Sequence, residues 1–136
     1  MESIPANGRT YRNQASAHDY SRFLYALWHD RLPFAEELRE IMSLPNPDRI
    51  YQGVDSIPRT AKVYDKTGST ARLCGNMGII EVPGIGGLHY PYTFISIIER
   101  PSRVRHYERW ITRRSDAIRA VSELVYQDMK QRHWLV

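Results

Sequence analysis

Apolar positions along the chain follow two helical periods, then three alternating strand-like runs, then a third and longer helical period. Tyr20, Phe23, Leu24, Leu27 and Trp28 recur at three- and four-residue intervals. Ser16 stands three residues before Asp19, the spacing of a capping box, so an amphipathic helix is predicted from there to about Arg31. Pro33 suits the start of a second helix, with Glu36 and Glu37 in the first turn, where the helix dipole favours anions, and Phe34, Leu38, Ile41 and Met42 along one face. The two make a helical hairpin over residues 16–44, and their aromatic and methionine stripes read as core rather than as a cofactor box.

Residues 1–15 are polar and turn-rich and predict a loop, and residues 45–60, with Pro45, Pro47, Gly53 and Pro58, predict a connection in which Ile50, Tyr51 and Val54 dip into the core. Period-two patterning then takes over. A strand is expected at 61–65, a second at 73–82 with Gly75 and Gly78 in its interior, and a third at 89–99 rich in aromatic and β-branched residues. The short links between them, one being the Pro83–Gly87 turn, make residues 61–100 an antiparallel sheet. After Pro101 a closing helix is expected over 103–131, with Tyr107, Trp110 or Ile111, Ile118, Val121, Val125 and Met129 on one face and Arg103, Arg105, Arg109, Arg113 and Arg119 on a solvated opposite face. The fold class is α+β: two N-terminal helices, a three-stranded antiparallel meander and a long C-terminal helix packed on the sheet.

Composition narrows the choices. With 136 residues, 42% of them hydrophobic, the chain can bury one core. The net charge of +4 is spread along the chain apart from an arginine-rich region between Arg100 and Arg119, and the interleaved Glu108, Asp116 and Glu123 argue against nucleic acid as partner. The single cysteine, Cys74, excludes an internal disulfide and a cysteine-based zinc site, and His18, His29, His89, His106 and His133 never fall at metal-binding spacing. No metal and no cofactor is expected. The chain carries neither a signal-peptide pattern nor an apolar run long enough to span a membrane, so as given it predicts a cytoplasmic protein.

Chemistry is legible in one stretch, Val63-Tyr64-Asp65-Lys66-Thr67-Gly68-Ser69-Thr70. An apolar lead-in ends in a cation, a hydroxyl, a residue without Cβ and two further hydroxyls. Such a place suits a ligand carboxylate or oxyanion: Lys66 brings positive charge, Thr67 or Ser69 a hydrogen bond, and Gly68 room for a ligand against the backbone.

The order of elements around Lys66-Thr67-Gly68 resembles the C-terminal half of the class A β-lactamases and related penicillin-binding serine hydrolases, whose third active-site motif the triplet matches. Asn76-Met77-Gly78-Ile79-Ile80 resembles the start of the family's next strand, and Glu2-Ser3-Ile4-Pro5 the end of its omega loop. The resemblance implies that Lys66 sits beside a second-motif serine and attracts the substrate carboxylate. It further implies that Thr67 hydrogen-bonds that carboxylate, that Gly68 leaves room for the acyl group, and that the Ser69 N–H is an oxyanion-hole donor. Thr70 and Arg72 are further substrate-binding candidates. The substrate implied is a β-lactam or a peptidoglycan-type acyl compound, with antibiotic resistance one possible setting and a periplasmic or other extracytoplasmic location if the chain is part of a longer exported protein.

The departures are as informative. No Ser-x-x-Lys occurs; Ser69-Thr70-Ala71-Arg72 comes nearest, and arginine cannot act as a base. Ser115-Asp116-Ala117 lacks the asparagine of a Ser-Asp-Asn, and Tyr11-Arg12-Asn13 lies too close before Lys66 to serve as a Tyr-x-Asn motif. The expectation is a single partial domain that holds half a site and is inactive alone. Its strand 89–99 would pair with a missing N-terminal half or with a second copy as a homodimer. Two other readings stand beside it: a non-catalytic relative that binds carboxylate or peptidoglycan-like ligands through Lys66 and Thr67, and an unrelated basic α+β module that binds nucleic acid.

Overall fold

In a computed structural model of the protein, which describes residues 14–136 and the backbone of 2–3 and 11–12, Ser16 caps the first helix as its spacing predicts. Its hydroxyl accepts from the Asp19 N–H at 3.2 Å while the Asp19 carboxylate accepts from the Ser16 N–H at 2.8 Å. Ahead of it, β1 (Glu2–Ser3) pairs antiparallel with β2 (Tyr11–Arg12) where a plain loop was expected, the strands being too short for a period to register. The side chains of Glu2-Ser3-Ile4-Pro5 and Tyr11-Arg12-Asn13 lie outside the described residues.

Helix α1 (Ala17–Trp28) is followed by α2 (Ala35–Met42). The second helix starts later than Pro33 because Phe34 takes a left-handed backbone, φ 57°, and turns the chain first. That start rotates the buried face onto Ala35, Leu38 and Met42, and leaves Phe34 and Ile41, both expected in the core, 75% and 63% exposed.

The sheet is an antiparallel meander of β3 (Lys62–Ser69), β4 (Leu73–Pro83) and β5 (His89–Glu99), in the order β3-β4-β5. β3 is longer than expected and carries Lys66-Thr67-Gly68 within it rather than after it. The central strand β4 is covered on both faces. Ile80 and Val82 point into the larger core with Ile50, Phe94, Trp110, Ile118 and Tyr126, whereas Ile79 points the other way onto Leu24, Leu27 and Ala35 of the helical hairpin. The layers are therefore hairpin, sheet and closing helix α3 (Tyr107–His133).

The face α3 presents to the sheet differs from the expected one. Trp110, Ser115, Ile118, Ser122 and Tyr126 are buried, with Ile111, Val125 and Met129 flanking them, while Tyr107 and Val121 are 41% and 50% exposed. Two serines stand in the buried stripe because the connection before β3 packs against the helix there. Ser122 Oγ donates to the Ile50 carbonyl at 2.6 Å, and Ser115 Oγ accepts from Arg49 Nε at 2.7 Å. A hydrophobic period cannot count such residues as core.

The connection itself is held by polar groups. Asp48 Oδ1 accepts from the N–H groups of Ile50, Tyr51 and Gln52. Asn76 on β4 accepts from the Arg49 N–H at 2.6 Å and donates to the Asp65 carboxylate at 2.8 Å, and Asn46 donates to the other oxygen of Asp65 at 2.8 Å. Gly78 lies beneath this contact: a Cβ there would sit 2.7 Å from the Tyr64 carbonyl oxygen and 2.8 Å from both the Asp65 Cβ and Ile50 Cδ1.

Gly78→Ala is therefore expected to destabilise the fold by about 1–3 kcal/mol through overpacking, read as a lower urea midpoint with unchanged slope. Asp65 supplies a pH signature. Burial lifts its carboxyl above the ordinary value of 3.8, outweighing the hydrogen bonds from Asn76 and Asn46 that lower it. The folded state then keeps a proton that the unfolded state has released, so this group's contribution to stability declines as pH rises from 3.8 through the raised folded value. Stability of wild type minus that of Asp65→Asn should fall across that window; a flat difference would contradict the assignment.

Candidate functional site

β3 is hydrogen-bonded on one side only, to β4, and its other edge has no strand partner among the described residues. The second half of this edge carries the sequence motif. The register sets Lys66 opposite Met77, Thr67 opposite Asn76, Gly68 opposite Gly75 and Ser69 opposite Cys74. Lys66 is exposed, and its ammonium donates to the carbonyl of Thr67, which keeps the cation at the strand.

The structure gathers some of the candidate residues and separates others. Lys66, Thr67 and Gly68 line a cavity of about 200 Å³ on the hairpin side of the sheet, with Tyr20, Asn76 and Ser96 among the other walls. Ser69 closes β3 outside that lining. Thr70 makes the turn: its hydroxyl oxygen accepts from the N–H groups of Arg72 and Leu73 at 3.1 and 3.0 Å, so the side chain serves the backbone. Arg72 projects from this turn into a separate recess, away from Lys66. A larger recess, about 690 Å³, runs between α2, the connection and the first half of β3 and contains none of Lys66, Thr67 and Gly68.

Arg49 is the residue that sequence reasoning missed. Only 6% exposed, its guanidinium donates to Ser115 Oγ at 2.7 Å, to the Gly75 carbonyl at 2.8 Å and to Ser69 Oγ at 2.5 Å. All three acceptors are neutral, and no carboxylate pairs with it among the described residues. A buried cation without a counter-charge is costly, and it makes the Ser69 end of β3 strongly attractive to an anion. Nothing in the local sequence announces it. Arg49 sits in a proline-rich connection, and only the packing of that connection between β4 and α3 points it at Ser69.

Lys66 and Arg49 thus flank the second half of β3 from different sides: Lys66 lines the cavity on the hairpin side, whereas Arg49 reaches Ser69 from the side of the connection and α3. The edge of β3, without a strand partner among the described residues, suits an extended ligand, and the exposed Lys66 suits a carboxylate on it. Among the described residues no cluster of His, Cys, Asp and Glu could hold a metal ion, and no helix is long and apolar enough to cross a membrane.

Comparisons with known proteins agree with this arrangement at the level of fold. No curated protein matches the chain. The solved structure of PBP-A superposes with a TM-score of 0.63 at 20% identity, covering 91% of this chain and 46% of that one. A leucine-to-glutamate mutant of PBP-A, solved as an acyl-enzyme complex with penicillin G, superposes with the same TM-score and identity, covering 85% of this chain and 40% of that one. The chain therefore spans less than half the length of either. A model of the β-lactamase enzyme family matches residues 1–129, nearly the whole sequence, and the chain belongs to that family.

Proposed function

We propose that this chain is the C-terminal portion of a β-lactamase- or penicillin-binding-type serine hydrolase, supplying the wall that receives the substrate carboxylate and part of the oxyanion hole. The observation that carries the reading is the second half of β3, which has no strand partner on its outer edge among the described residues and carries the exposed Lys66, with Arg49 buried behind Ser69. An acyl substrate laid along this edge places its carboxylate near Lys66, with the Thr67 hydroxyl as a further donor. Gly68 leaves the acyl group room, and the Ser69 N–H donates to the developing oxyanion. The penicillin G held by the PBP-A mutant supports a β-lactam or a peptidoglycan-like acyl compound as the substrate class.

The sequence contains no Ser-x-x-Lys, so the nucleophile and its lysine base come from elsewhere and the chain does not turn over substrate unaided. The open edge of β5, residues 89–99, and the exposed Val121 and Leu124 on α3 are the surfaces on which an N-terminal half or a second copy would complete the fold. Such a complete enzyme would work outside the cytoplasm. The second reading, a carboxylate-binding relative without catalysis, uses the same Lys66 and Thr67 and is favoured by the same missing nucleophile.

With a chromogenic cephalosporin the pure chain should show no turnover above a Lys66→Ala control; turnover above it would overturn the half-site reading. Penicillin G, titrated calorimetrically, should bind weakly, and Lys66→Ala should weaken it about tenfold, the loss of one charge-assisted hydrogen bond. Heat without a Lys66 dependence would remove the edge as the ligand site. Sedimentation at rising concentration should reveal self-association through β5, and a folded monomer throughout would count against the paired edge.

A further inference from the structure

The end of the molecule where β3 turns into β4 and β5 runs towards α3 gathers seven arginines. Arg72 lies on the turn, Arg100 follows β5, Arg103 and Arg105 lead into α3, and Arg109, Arg113 and Arg114 occupy its first two turns; all seven are exposed. Backbone hydrogen bonds hold these segments together, the Arg100 N–H donating to the Arg72 carbonyl at 2.9 Å and the Val104 N–H to the Ala71 carbonyl at 3.0 Å. The acids in the same segments are Glu99 and Glu108. The surplus here thus exceeds the net +4 of the whole chain, and the remainder of the molecule is slightly negative.

None of the seven arginines forms an ion pair among the described residues. Arg100 and Arg114 lie instead over the ring of Trp110, at 5.6 and 4.9 Å from its centroid. Two guanidiniums gathered on one indole repel each other, and cation–π attraction offsets that only in part. Beside them Thr70, Arg72, Leu73, Glu99, Arg100 and Pro101 line an open recess of about 580 Å³. Cations held close together without carboxylate partners are arranged for an external anion. Their spread over a turn, a linker and two helical turns fits a chain of anionic groups better than a single one.

We propose that this end of the protein is a binding surface for a linear polyanion of the phosphate-chain type, recognised by charge and spacing and not by bases. Trp110 is 8% exposed and covered by the guanidiniums, and among the described residues of these segments His106 and Tyr107 alone are exposed rings, too few to stack a run of successive bases. The site is separate from the Lys66 edge and does not depend on its assignment.

Binding of inorganic polyphosphate, followed calorimetrically from low to physiological salt, tests it. The affinity should fall linearly on a log–log plot against salt, and orthophosphate should bind at least about a hundredfold more weakly. Arg72→Gln combined with Arg103→Gln should weaken polyphosphate binding about tenfold or more with unchanged melting, since neither side chain is used in a hydrogen bond among the described residues. Lys130→Gln, at the far end of α3, should change it less than about twofold. No polyphosphate binding at low salt, or an equal loss in Lys130→Gln, overturns the proposal. An oligothymidylate of equal charge that binds more tightly than polyphosphate overturns it in favour of nucleic acid.

Discussion

The side-chain amide of Asn76 ties the connection to β3, and the geometry of the site depends on it. Buried at 3% exposure in the central strand, it accepts from the Arg49 N–H and donates to the Asp65 carboxylate and, at 3.2 Å, to the Lys66 carbonyl. The connection that carries Arg49 has no regular structure of its own, so its position relative to β3 is set by such bonds and by the burial of Ile50, Val54 and Ile57. In a dry interior each of these groups would be costly unpaired, which makes one arrangement much better than its neighbours.

Around this amide the protein keeps two buried charges of opposite sign apart. Asp65 is bonded to two asparagines and Arg49 to two hydroxyls and a carbonyl; neither meets the other as an ion pair. Pairing them would be the cheaper solution for stability alone. Arg49, with no carboxylate partner among the described residues, leaves positive potential beside Ser69 at the end of β3.

β5 forms the other margin of the sheet, with no strand partner beyond β4 among the described residues. Yet β4 is covered on both faces, by α3 on one and by the helical hairpin on the other, so the layers have a core even where the sheet is narrow. The edge that carries Lys66 and the β5 edge lie on opposite sides of the sheet.

The sequence by itself determined the element order, the capping of α1, the three strands and the motif on β3, because each depends on local spacing: three and four residues for a helix, two for a strand, a serine three residues before an aspartate. It also determined what the chain lacks, since a Ser-x-x-Lys is either written or not. Only the tertiary structure decided which way α2 and α3 face, because Phe34 takes a left-handed turn and two serines of α3 receive the connection, and neither event leaves a trace in hydrophobic periodicity. It alone placed Arg49 at Ser69, 20 residues away in sequence, and set Arg72 and Thr70 apart from Lys66. Contacts of that range are made by packing and by the cost of unpaired buried groups, which act on the folded chain as a whole.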